Sequence, residues 1–106
     1  MARTLGYADT ALTDLAAIRR WLTQAGSGPA ARRRLEAIRT DINQLREHPC
    51  LYPIGQHLGV RELPCDGGYR ALYEVEPDTG ISATAGNVVI LRIYGPGQDR
   101  RSFDRS

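Results

Sequence analysis

The chain contains no lysine: all fourteen of its cationic side chains are arginine. Chemically, every cation is a planar fork suited to paired hydrogen bonds with carboxylate or phosphate. No lysine amine is available as a general base or Schiff-base former. Two cysteines, Cys50 and Cys65, are too few for a disulfide framework and lack metal-ligand spacing, so they read as small, semi-buried, reduced hydrophobes. The two histidines, His48 and His57, stand nine residues apart across prolines, which argues against a metal centre. No metal and no cofactor are expected. Glycine-rich nucleotide loops of the Walker or dinucleotide type are missing, and no nucleophile elbow accompanies a histidine. No apolar run approaches the roughly 18 residues of a membrane span. The opening Met-Ala-Arg-Thr-Leu-Gly-Tyr has no apolar signal-peptide core. A cytoplasmic protein without a membrane partner is the expectation.

What is present describes one domain. A chain of 106 residues has room for a single modest core, with roughly two-thirds of its unfolded surface buried. The apolar and charged fractions, 42% and 25%, suit an ordinary globular protein, and the net charge is only +2. Residues 3–8 offer a short first strand, weakened by Gly6. Asp9 or Thr10 then provides an N-cap. Ala11, Leu15, Ile18 and Leu22 repeat at helical spacing, with Leu12 widening the stripe, and Gly26-Ser27-Gly28 ends the helix. Pro29 opens a second helix, along which Ala31, Leu35, Ile38, Ile42 and Leu45 form a matching seam. The short connection makes the two helices an antiparallel hairpin over residues 9–48, ended by His48-Pro49. Arg32, Arg39 and Arg46 share a stripe away from the seam, read as a solvated face.

After a turn-rich loop, residues 60–75 read as strand, tight turn, strand. Asp66-Gly67-Gly68 supplies the turn. Beyond it Tyr69, Ala71, Tyr73 and Val75 fall on one face, and Arg70, Leu72 and Glu74 on the other. Residues 77–86, rich in Gly, Thr, Ser and Ala, read as a mobile tip. Residues 88–94 are the most strand-like run. Val89, Leu91 and Ile93 alternate with Val88, Ile90, Arg92 and Tyr94, and apolarity on both faces suits a central strand. The order β-α-α-β-β-β predicts an α+β fold, a helix hairpin packed on a small antiparallel sheet. Residues 60–94 hold the antiparallel strands and residues 95–106 form a flexible basic tail. The chemistry left to the strands is arginine with tyrosine: Arg61, Arg70, Arg92, Tyr69, Tyr73 and Tyr94. Such a group suits an RNA backbone, with a tyrosine stacked on a base. It equally suits an acidic peptide, or consists of sheet-edge arginines in water over core tyrosines.

The ordered set of Val60-Arg61-Glu62-Leu63-Pro64, Gly68-Tyr69-Arg70-Ala71-Leu72-Tyr73-Glu74-Val75 and Val89-Ile90-Leu91-Arg92-Ile93, followed by Gln98-Asp99-Arg100, resembles the RelE/ParE toxin superfamily. These are the small toxins of bacterial type II toxin–antitoxin pairs, and the resemblance spans nearly the whole chain. It implies a cognate antitoxin whose disordered acidic tail folds on the toxin in a hetero-oligomer. It also implies one of two targets: DNA gyrase for ParE-like members, or messenger RNA on the ribosome for RelE-like endoribonucleases. Arg70 matches the strand arginine that RelE-like members set on the phosphate, and Arg61 stands for one of their lysines. A nuclease would work through Arg61, Arg70, Arg92 and Tyr94. Yet Leu63, Gly95 and Phe103 occupy places where basic or titratable groups stand in the nucleases. Arginine stabilises charge well and is a poor base. The ParE-like branch, a non-enzymatic gyrase inhibitor with no catalytic residue, is therefore the expectation. Antitoxin or target contacts are assigned to Arg61, Arg70, Tyr73, Arg92, Tyr94, Arg100 and Arg101.

Overall fold

The computed structural model describes residues 3–98. Strand β1 (Leu5–Tyr7) leads into helices α1 (Asp9–Thr23) and α2 (Gly28–Asn43), the latter extended by a 3-10 turn at Gln44–Arg46. Strands β2 (Arg61–Pro64), β3 (Arg70–Glu76) and β4 (Asn87–Tyr94) follow, and the sheet order is β1-β4-β3-β2. The expected α+β architecture is thus present, but the sheet is mixed. β2, β3 and β4 are antiparallel neighbours, whereas β1 lies parallel to β4. The reason is topological. β4 carries apolar side chains on both faces, and inserting it between β3 and β1 covers them and its edges together. Entering there as the return strand of a hairpin with β3, it runs alongside β1 in the same direction.

The two helical seams meet the inner face of the sheet as their spacing predicts. Ala11, Ile18, Leu22, Leu35, Ile38, Ile42 and Leu45 are buried against Leu63, Ala71, Tyr73, Val75, Val88, Ile90 and Ile93. Leu12 does not join them; it is 50% exposed on the flank of α1. Neither Asp9 nor Thr10 caps α1. The N-cap is Ala8, because β1 runs straight into the helix and the Ala8 amide still donates to the Ile90 carbonyl (2.9 Å). Among the described residues, no helix is long and apolar enough to cross a membrane.

The turn between β2 and β3 is built as the sequence asks, with Gly67 and Gly68 at φ of 72° and 84°. A Cβ at Gly67 would also press into the Arg34 side chain. Residues 77–86 are tied down rather than left as a loose tip. The Gly86 amide donates to the Pro77 carbonyl, and the Cys50 amide donates to Ser82 Oγ. The Arg3 guanidinium donates to the carbonyls of Ser82, Ala85 and Gly86. Arginine's five donors let one side chain satisfy several turn carbonyls at once, a role that composition alone does not reveal.

A bulge in β4 changes which residues face where. Leu72 pairs with Arg92, but the next residue, Tyr73, pairs with Ile90, leaving Leu91 as the extra residue. Strict alternation would set Ile90, Arg92 and Tyr94 on one face. Instead Val88, Ile90 and Ile93 enter the helix-side core, while Leu91 and Tyr94 join Val60 and Leu72 on the outer face.

Candidate functional site

The outer face of the sheet, away from the helices, holds the aromatic–cationic group. At its centre Tyr94 is 6% exposed among Val60, Leu72 and Leu91. The Arg92 guanidinium lies 5.0 Å from the centre of the Tyr94 ring, a cation–π distance. Arg70, on β3, is opposite Tyr94 of β4 and Pro64 of β2. Cross-strand neighbours of this kind lie within side-chain reach, so Arg70, Tyr94 and Arg92 form one surface unit.

The three arginines expected to work together are in different states. Arg92 is engaged with α1: its Nε and Nη2 donate to Asp14 Oδ2 (2.7 Å) and Oδ1 (3.2 Å). Asp14 Oδ2 also accepts from the Ile93 amide (2.9 Å), and Thr10 Oγ1, one helical turn earlier, donates to the Leu91 carbonyl. Pairing between β1 and β4 stops at Tyr7 and Ile90. Beyond that point α1 replaces β1, closing the open edge of β4 with side chains at i and i+4. The Asp14 carboxylate pushes the Arg92 pKa above its ordinary value, so this group is a permanent cation.

Arg61 is on the other side of the sheet. It pairs with Tyr73 in register and shares a strand face with Leu63, whose side chain is in the helix-side core. Only 8% exposed, it donates from Nε and Nη2 to the two oxygens of Asp78 (2.8 and 3.0 Å) and from Nη1 to the Tyr52 carbonyl (2.6 Å). That contact holds the Asp78 carboxyl below its ordinary value. Tyr73 beside it is fully buried, its hydroxyl donating to the Pro49 carbonyl at 2.7 Å, and burial raises its pKa. Arg61 and Tyr73 therefore close one end of the core by tying β2 and β3 to the loops at 49–52 and 78. Both of these expected contact residues are buried, Arg61 at 8% and Tyr73 at 0% exposure. Alternation along β2 places Arg61 with Leu63 and away from Arg70.

Arg70 remains. It is half-buried, and the four ion pairs among the described residues do not include it. Arg100 and Arg101 lie outside the described residues. So does Phe103. Among the described residues no group of His, Cys, Asp and Glu is arranged to hold a metal ion. Both cysteines are free; burial pushes the Cys65 thiol up to about 12 and raises that of Cys50. Neither is a thiolate nucleophile at neutral pH. Sequence reasoning missed Asp14 and Asp78, the acids that decide which arginines are free. The polar Thr10–Asp14 pair, at i and i+4 on α1, was the available signal. A hollow of about 530 Å³ also opens between α1, the β2–β3 turn and the Gly95–Gln98 turn, with Trp21, 65% exposed, on its rim.

A two-helix hairpin thus packs over a four-stranded mixed sheet, with Arg70, Arg92 and Tyr94 on its outer face. The family model for the ParE toxin of the type II toxin–antitoxin system parDE matches residues 5–99, and the chain belongs to that family. Among solved structures, a chain of the chromosomal ParDE TA system from P. aeruginosa superposes with a TM-score of 0.69 at 20% identity. The match covers 89% of this chain and 96% of that one. No curated protein matches the sequence. The chain is thus a type II toxin, within the RelE/ParE superfamily that its strand motifs resemble.

Proposed function

We propose that this protein inhibits DNA gyrase in the cytoplasm by binding rather than by catalysis, and that a cognate antitoxin neutralises it in a hetero-oligomeric complex. The family and the ParDE system of its structural neighbour support the antitoxin partner. One observation supports binding over RNA cleavage. The arginines that would hold a message do not converge: Arg61 faces the core with Asp78, and Arg92 is held by Asp14. Of these three, Arg70 alone is in no ion pair among the described residues, and its cross-strand neighbours, Pro64 and Tyr94, include no carboxylate or imidazole. Cleavage at a 2′-hydroxyl needs a base as well as charge stabilisation, and arginine supplies only the second. A free guanidinium beside a tyrosine-centred apolar patch is instead suited to contact with a carboxylate-bearing protein surface.

The test is a paired assay with purified toxin. Supercoiling of relaxed plasmid by gyrase is blocked, while primer extension on messages translated in its presence shows no new cuts. Intact supercoiling together with A-site cuts lost in Arg70→Ala would replace this reading with the ribosome-dependent nuclease.

A further inference from the structure

Trp21 is the chain's one tryptophan, and the fold leaves it largely in water. An indole ring is costly to expose. It stands at the edge of the 530 Å³ hollow, whose walls include Ile18, Leu22 and Tyr69, all buried. The hollow exists because α1 outruns the sheet. Asp14 already meets Arg92 and Ile93, near the end of β4, and nine further residues of helix extend about 13 Å beyond it. The chain turns under this overhang at Gly95–Gln98, where the Gly95 amide donates to Gln98 Oε1 and the Gln98 amide to the Gly95 carbonyl. Gln98, the last described residue, lines the hollow itself. Eight residues follow it in the sequence, Asp99 to Ser106, and Phe103 is their one apolar side chain.

Reach, cost and charge select the occupant. Phe103 is five residues past Gln98, a span of about 17 Å when extended, longer than a hollow of that volume is wide. A separate molecule would have to offset its lost translational and rotational freedom from one small apolar contact. A segment tethered at the rim avoids that cost, because its effective concentration there is on the order of millimolar. The half-exposed Arg34–Asp66 pair beside the hollow (3.3 Å) offers one charge of each sign to Asp104 and Arg105, which follow Phe103. We propose that the hollow is the seat of the chain's own C-terminal segment, with the Phe103 ring packed against Trp21 and Tyr69. Seated there, the segment covers the indole and ties the end of β4 to the end of α1. The proposal stands independently of which target the toxin has.

The full chain is compared with Phe103→Ala and Trp21→Ala, both checked for native fold by circular dichroism. As the one tryptophan, Trp21 reports on the hollow alone in fluorescence. Phe103→Ala shifts its emission to longer wavelength and strengthens quenching by acrylamide. Trypsin supplies an independent readout, since Arg100 and Arg101 lie between Gln98 and Phe103. Cleavage after these two arginines, followed by mass spectrometry, runs about tenfold faster in both variants, because it tracks the population of the unseated segment. Either readout matching wild type in Phe103→Ala would overturn the proposal. So would wild-type emission that moves with protein concentration, which gives the hollow to a second copy. Shielding of Trp21 that appears only on adding antitoxin, and is the same in Phe103→Ala, would overturn it as well.

Discussion

Arg61 and Asp78 are the residues on which the loop side of the fold depends most. Their side chains are 10% and 22% exposed and meet in a two-point ion pair. Removing one partner leaves the other largely dry, so Asp78→Asn destabilises the protein by about 2–3 kcal/mol, measured by urea unfolding at neutral pH. Asp78 has a folded pKa below its unfolded value of 3.8. Its stabilisation is therefore complete above that value and fades as pH falls through the lower, folded one. The acid limb of the wild-type stability profile carries this loss, and the Asp78→Asn profile lacks it. Cys65 acts at the other end of the scale. Its thiol goes from an ordinary 9.0 to about 12 in the folded chain, so the unfolded state releases its proton first. Stability falls as pH rises from 9 toward 12, with Tyr73 adding to the fall above its ordinary 10.0. Cys65→Ala flattens the lower part of that decline in thermal melts. In the native state at pH 8, Cys65 resists thiol reagents that label the half-buried Cys50.

At the scale of elements, α1 is helix, core wall and edge strand substitute at once. Asp14 accepts from both Arg92 and the Ile93 amide. Asp14→Ala unpairs a cation and opens the end of β4, costing about 2–3 kcal/mol. Hydrogen exchange localises the effect: the Ile93 amide loses protection before those of Val88 and Ile90, which are paired with β1 and β3. The seams of α1 and α2 and the turn at Gly67-Gly68 were readable from sequence because each depends on residues a few positions apart. Periodicity reports such local geometry directly. The bulge at Leu91 was not readable, since it exists only in the register between β3 and β4. Nor were the acids that hold the arginines. Asp78 is 17 residues from Arg61 and Asp14 is 78 residues from Arg92. Arg61 is the instructive intermediate case. Its shared face with Leu63 follows from alternation alone, while its partner does not.

At the scale of the whole molecule, arginines lie on both the sheet side and the helix side. The sheet side offers Arg70 beside the Tyr94 cluster, and the helix side offers Leu12 between Arg19, Arg20 and Arg39. With lysine absent, arginine does every cationic task among the described residues: Arg61 and Arg92 are fixed by carboxylates, Arg3 by backbone carbonyls, and Arg70 is in no ion pair. Inhibition by binding has a stoichiometric signature that inhibition by catalysis lacks. The decisive measurement is a titration of gyrase supercoiling activity with purified toxin at two gyrase concentrations. The toxin needed for half-inhibition rises in proportion to gyrase, and added antitoxin restores supercoiling. Undiminished supercoiling at a saturating excess of toxin would contradict the account.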